Sequence, residues 1–242
     1  MSKLEVDQID PQSGTTLTLG TSGDTVIVPS GVILAPGGGL TLTGALAVDG
    51  GTVKLDGNYP TGTDNVAMGD TALDSIAAGG TDNVAIGNHS GTAITTGDRN
   101  TAVGSLSLEA NTTASYNTAV GFSSLKTNIT GAGNTGLGYR SLELTTAANN
   151  TGLGYEAGAA NAGGASNTAI GKSALCKNTT GNSNVAVGIS ALFANTTADN
   201  NVAIGQQALT SNTTGTRNVA VGCGALLSNV DDNDNTGIGF AT

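Results

Sequence analysis

Asn184-Val185-Ala186-Val187-Gly188 decides how this chain folds, because its pattern of Asn, Val or Thr, Ala or Gly, an aliphatic residue and Gly returns eleven times. The opening asparagines are Asn65, Asn83, Asn100, Asn117, Asn134, Asn150, Asn167, Asn184, Asn201, Asn218 and Asn235, spaced by 18, 17, 17, 17, 16, 17, 17, 17, 17 and 17 residues. So regular a period identifies a repeat architecture. A 17-residue unit is too short to fold alone, and it gains order by burying its apolar positions against the units on either side.

Within the motif, β-branched residues at alternate positions suit a short strand that pairs in register with its copies. Gly at position five marks a corner that needs unusual backbone angles or close approach. A small residue and Leu follow, as in Ala191-Leu192 and Ala208-Leu209; this second half reads either as another strand or as a single helical turn. Turn-forming runs then close the unit, among them Asn111-Thr112-Thr113, Asn178-Thr179-Thr180-Gly181 and Asn195-Thr196-Thr197. The fold class expected is all-β: a β-solenoid or β-roll of eleven coils, with short helical turns as an option, about 50 Å long at about 4.8 Å per coil.

Stacking the copies aligns identical positions. Asn100, Asn117, Asn134, Asn184, Asn201 and Asn218 are expected to form a ladder of side-chain amides, as stacked identical residues do in cross-β structures. Position three is always Ala or Gly, as at Ala102, Ala119, Gly136, Ala186, Ala203 and Ala220. On a strand it points away from positions two and four. We expect this tiny face to pack on the same face of a symmetry-related subunit. At position six, Phe122, Tyr139 and Tyr155 fall on consecutive coils, with Arg140 and Glu156 beside them and Asp70, Asn88, Lys172 and Gln206 at the same position elsewhere. That stripe reads either as a packing ladder or as a receptor surface able to meet sugars.

Composition excludes several classes of function. The 242 residues hold 38 Gly, no Trp and 11% charged residues, which implies a thin interior of small aliphatic groups. A hydrophobic content of 38% and a strict period argue against disorder. With eight Lys and Arg and a formal charge of −10, no phosphate-binding or anionic-lipid surface is expected, hence no nucleic-acid partner. No run of about 20 apolar residues is present, and Met1 to Asp10 is charged where a signal peptide would be apolar, so membrane insertion and classical secretion are not expected.

No constellation of catalytic or metal-ligating residues emerges either. His89 is the only histidine and has no acid or nucleophile at a recurring spacing, so no enzymatic activity and no cofactor are expected. Cys176 and Cys223 lie three coils apart, about 14 Å at about 4.8 Å per coil, too far for a disulfide. Asp231, Asp232 and Asp234 cluster in one loop, read as a solvated acidic loop rather than a calcium site. Asn-x-Thr triplets are read as turn chemistry rather than glycosylation acceptors. Residues 1 to 60 lie outside the period and alternate in short strand-like runs; they form one region, and residues 61 to 242 form the repeat rod.

Units such as Asn167-Thr-Ala-Ile-Gly-Lys-Ser-Ala-Leu-Cys-Lys-Asn-Thr-Thr-Gly resemble repeats of tail-fibre-like structural proteins of marine bacteriophages, and Asn83-Val-Ala-Ile-Gly is more distantly similar to the head repeats of trimeric autotransporter adhesins. The likeness covers residues 65 to 242, and Ser2-Lys-Leu-Glu-Val-Asp-Gln-Ile-Asp-Pro is similar to the starts of such phage proteins. The resemblance implies a homotrimeric virion fibre, spike or decoration, joined to other virion proteins through residues 1 to 60 and able to meet a host surface glycan or protein. A bacterial surface adhesin is the alternative. An ice-binding solenoid is a third class, since Thr101, Thr118, Thr135, Thr151, Thr168 and Thr236 share position two, but Val alternates with Thr there and the flanking pattern reads as buried.

Overall fold

The computed structural model describes residues 64–77 and 79–242. Eleven three-residue strands lie in a single parallel sheet, ordered as they occur in the chain. They are β1 (Val66–Met68), β2 (Val84–Ile86), β3 (Thr101–Val103), β4 (Thr118–Val120), β5 (Thr135–Leu137), β6 (Thr151–Leu153), β7 (Thr168–Ile170), β8 (Val185–Val187), β9 (Val202–Ile204), β10 (Val219–Val221) and β11 (Thr236–Ile238). Parallel neighbours need a crossover of a dozen or more residues. The rest of each coil supplies it, as residues 188–201 do between β8 and β9. The fold is an all-β solenoid, with no helix among the described residues. The segment expected to join the rod to a particle, residues 1 to 60, lies outside the described residues.

Each repeat position sits on its own copy in the next coil, as Val185 does on Val202 and Ala186 on Ala203. Val185 N–H donates to Asn201 O at 2.8 Å, and Gly205 N–H donates back to Val187 O at 2.7 Å. A slip of one residue would turn every strand side chain to the opposite face, so the period holds the register.

The second half of the coil is neither strand nor helix but two successive turns. Ala191 N–H donates to Gly188 O and Asn195 N–H to Leu192 O, both at 3.3 Å. Positions seven and nine adopt left-handed backbone, Ser190 with φ 55° and Leu192 with φ 51°. Leucine avoids that region because its Cβ crowds the next carbonyl. Yet Leu73, Leu108, Leu125, Leu142, Leu175, Leu192 and Leu209 all adopt it, with φ between 50° and 52°, and all are buried. The conformation turns each leucine inward, where burial contributes about 1.5–3 kcal/mol. It also aims the backbone along the rod, so that Leu192 N–H reaches Ala208 O at 3.0 Å.

Those leucines fill the interior from one side, and the alanines of the strands meet them from the other in two successive buried clusters. This corrects the expectation that the Ala/Gly face meets a second subunit. Ala102, Ala119, Ala186, Ala203 and Ala220 are at most 1% exposed within the single chain, and Gly136 is buried with them. Position three is tiny because the preceding coil of the same chain leaves no room. A Cβ at Gly136 would stand 2.5 Å from Ser124 Oγ and 3.2 Å from Leu125 Cγ.

Position five is equally confined. Gly188 has φ 133°, and a Cβ there would lie 2.5 Å from the carbonyl oxygen of Gly205 in the next coil. Gly188→Ala is expected to lower stability by more than the roughly 1–3 kcal/mol that such backbone strain costs by itself. A denaturant midpoint followed by far-ultraviolet circular dichroism measures this; an unchanged midpoint would show that the corner tolerates a side chain.

Candidate functional site

Two sets of side chains run along the rod, the buried asparagines and the outward rows of the sheet, and an aromatic stack spans three of its coils. The strand asparagines bridge coils from side chain to backbone. Asn184 Oδ1 accepts the N–H of Asn201 at 3.0 Å, and Asn184 Nδ2 donates to Ala198 O at 2.8 Å. The same rung recurs from Asn100 to Asn83, Asn117 to Asn100, Asn134 to Asn117, Asn184 to Asn167 and Asn218 to Asn201, at 2.9 to 3.0 Å. Direct amide-to-amide contacts are longer and fewer, such as Asn184 Nδ2 to Asn167 Oδ1 at 3.2 Å.

A second ladder was not legible in the sequence. The asparagines of the Asn-Thr-Thr runs point inward, Asn178 Nδ2 donating to Asn161 Oδ1 at 2.7 Å and Asn195 Nδ2 to Asn178 Oδ1 at 2.8 Å. Each also caps its own turn, as Asn178 does on Gly181 O at 2.8 Å. Asn111, opening one of the Asn-x-Thr triplets, is fully buried and bonded to Ala114 O. Glycan addition there would require the coil to open.

Phe122, Tyr139 and Tyr155 form a continuous stack. Ring centroids are 5.7 Å apart for Phe122 and Tyr139 and 5.0 Å for Tyr139 and Tyr155, with planes 13° and 15° from parallel. All three are between 41% and 48% exposed, but their faces are turned to one another. The inner faces are thereby closed to a sugar, which stacks on a face. The ammonium of Lys172 lies 5.9 Å from the Tyr155 centroid at one end. Beside the stack, Arg140 Nε reaches Glu143 Oε2 at 2.6 Å and its Nη1 reaches Glu156 Oε1 at 3.5 Å.

The outward rows of the sheet come from positions two and four. Position four presents Met68, Ile86, Leu137, Leu153, Ile204 and Ile238 to solvent, with Val103, Val120, Ile170, Val187 and Val221 half-buried. Thr or Val fills position two throughout, and neither row carries a charge. Eleven rungs at about 4.8 Å make a strip about 50 Å long. Such a strip spans several hundred Å², at or above the largest apolar patches usual on monomers.

The remaining sequence candidates are scattered. His89 occupies position seven with its N–H on Asp70 O at 2.9 Å, and its imidazole bonds to no described residue. Cys176 and Cys223 are free thiols. Burial, with the Glu156 carboxylate adding to it, pushes the Cys176 thiol up from its ordinary value, which disfavours the thiolate. Asp234 is engaged by Arg217 through two contacts of 2.6 and 2.8 Å, and this hydrogen-bonded guanidinium holds its carboxyl below the usual carboxylate range. No group of three or more metal-ligating side chains occurs among the described residues. No family model, no curated protein and no solved structure matches the chain.

The asparagine rungs give a sharp test. Asn184→Ala leaves the N–H of Asn201 and the carbonyl of Ala198 buried without that partner, at about 1–3 kcal/mol each. Asn184→Asp keeps the acceptor but places a carboxylate against the Ala198 carbonyl. It is expected to be worse than Ala at neutral pH and to recover as pH falls, since the protonated acid again donates. Denaturant midpoints at two pH values decide this, and equal midpoints for all three proteins would remove the ladder from the account.

Proposed function

We propose that this chain is a mechanical element, the rod of a virion fibre, spike or decoration, assembled as a homotrimer about the uncharged outer face of its sheet. The observation that carries the reading is the pair of uncharged rows at positions two and four, eleven rungs deep. In a globular protein such rows would be core. Here the core is already filled by Ala and Leu from within the coil, so the larger aliphatic groups remain outside and self-association is their simplest cover.

An interface on these rows differs from the one the Ala/Gly pattern suggests, since it uses Leu153 and Ile204 rather than Ala186 and Ala203. A strip of this size on each subunit is of the order a standard interface needs, about 800 Å² per partner, once flanking rows join it. Residues 1 to 60 are the segment by which the rod would join other virion proteins. Host contact, with a surface glycan or protein, would be made along three identical faces, gaining avidity without a deep pocket. The similarity of the repeats to phage structural proteins supports the virion setting, and the rod architecture agrees with a role in reach and stiffness rather than in chemistry.

The outward Thr row gives the ice-binding class one supporting observation, because Thr101, Thr118, Thr135, Thr151 and Thr168 face solvent, wholly or partly, rather than the core.

Light scattering on the purified chain is expected to give three times 23.5 kDa. Leu153→Asp and Ile204→Asp are expected to shift it toward the monomer mass with the β signal retained, whereas Thr197→Asp, on another exposed surface, leaves it unchanged. A native chain that is monomeric at every concentration would overturn the trimer and direct attention to an ice-recrystallisation assay. Absence of the chain from particles purified out of the lysate of its host would overturn the virion setting.

A further inference from the structure

Tyr139 and Tyr155 are adjacent rungs of one in-register ladder, and the carbonyl of Tyr139 accepts the N–H of Glu156 at 2.9 Å immediately beside the rings. Two residues earlier, Leu137 and Leu153 are direct strand partners. The phenol rings therefore stack with centroids 5.0 Å apart and planes 15° from parallel. They are 41% and 48% exposed, and neither hydroxyl bonds to a described residue. From this geometry we propose that Tyr139 and Tyr155 form an oxidative cross-linking site, at which two phenols become a dityrosine staple between consecutive coils. The inference is independent of trimer assembly and of the virion setting.

The chemistry requires a two-electron oxidant, and the class that fits is a peroxide acting through a haem peroxidase. Each phenol gives up one electron and its hydroxyl proton. The two radicals join through their ortho carbons, forming one carbon–carbon bond. The hydrogens displaced from those carbons move to the oxygens and restore both phenols. Peroxide takes the two electrons and two protons and leaves as two waters. Holding the rings on adjacent rungs makes this coupling effectively intramolecular, which favours it over coupling between chains.

The stack also limits the product to one bond. Phe122 continues the row on one side without a hydroxyl, and Lys172 follows on the other. Tyr116 is set apart, its hydroxyl accepting from Arg99 Nη1 at 3.0 Å with the guanidinium 5.6 Å from its ring centroid.

The staple falls where the inner asparagine ladder is interrupted. The coil that opens at Asn134 has 16 residues, and Thr145 stands where the flanking coils have Asn128 and Asn161. The rung there, Asn161 Nδ2 to Thr145 Oγ1, is 3.3 Å, within the 2.7 to 3.5 Å spread of the later rungs.

Treating the full chain with a haem peroxidase and hydrogen peroxide tests the proposal. Expected are dityrosine fluorescence on a chain that still runs at 23.5 kDa in denaturing gels, and a joined peptide, two hydrogens lighter than its parts, linking Tyr139 to Tyr155. Tyr139→Phe and Tyr155→Phe, which keep the ring that Phe122 already shows the row accepts, should each abolish both signals. Tyr116→Phe should keep them, and the stapled chain should unfold at a higher denaturant concentration than the untreated one. Absence of dityrosine, or its formation only between separate chains or through Tyr59 or Tyr116, would overturn the assignment.

Discussion

The carboxamide that joins one coil to the next is the interaction on which the rest of this solenoid depends. An asparagine at the first strand position accepts the backbone N–H of its own copy in the following coil and donates to a carbonyl in the closing turn of its own coil. Few side chains can do both at that reach. Aspartate has the acceptor without the donor, serine has one oxygen, and glutamine carries its amide one carbon too far. The bond that closes one rung also orients the next, and this reciprocal fit explains why the period tolerates so little drift. Only the junctions at Asn65 and Asn134 depart from 17 residues, by one each.

A thin interior follows from the same geometry. The small residues of position eight and the row of leucines leave space at position three only for a methyl or a hydrogen, as the contacts of Ser124 and Leu125 facing Gly136 show. The strands are thus inverted relative to those of an ordinary sheet protein, with their smallest aliphatic groups inside and their β-branched and larger ones outside. That inversion leaves an uncharged strip along the outer face of the sheet, and the proposed assembly would cover it because burying apolar surface remains favourable once the coil has closed.

Much of this was legible in the sequence, and the parts that were not have physical causes. The period, the strands and the Gly corner could be read because in-register stacking repeats each requirement at one fixed interval. Alternation along Val185-Ala186-Val187 shows two faces but not which is inward, and the usual rule that bulk goes inside pointed the wrong way. Left-handed backbone at Leu192 has no sequence signal, since leucine there violates its own preference and is held by burial and by the bond to Ala208. Asn178-Thr179-Thr180-Gly181 reads as a tight turn, which it is; the same side chain that caps the turn also faces the interior, and only the structure separates the two roles. The aromatic row was predictable from position alone, whereas the closure of its ring faces depends on how the rings settle on one another.

Hydrogen exchange of individual backbone amides tests the central claim most directly. The account predicts that the amides of Asn100, Asn117, Asn134, Asn184, Asn201 and Asn218, each donating to an asparagine carboxamide of the preceding coil, exchange as slowly as the strand amide of Val185 or Val202. The amides of Phe122 and Tyr139 at the first turn, which donate to no described residue, should exchange fast. Asparagine amides that exchange at the rate of those turn residues would contradict the account, because the rungs that set the period would then not be formed in solution.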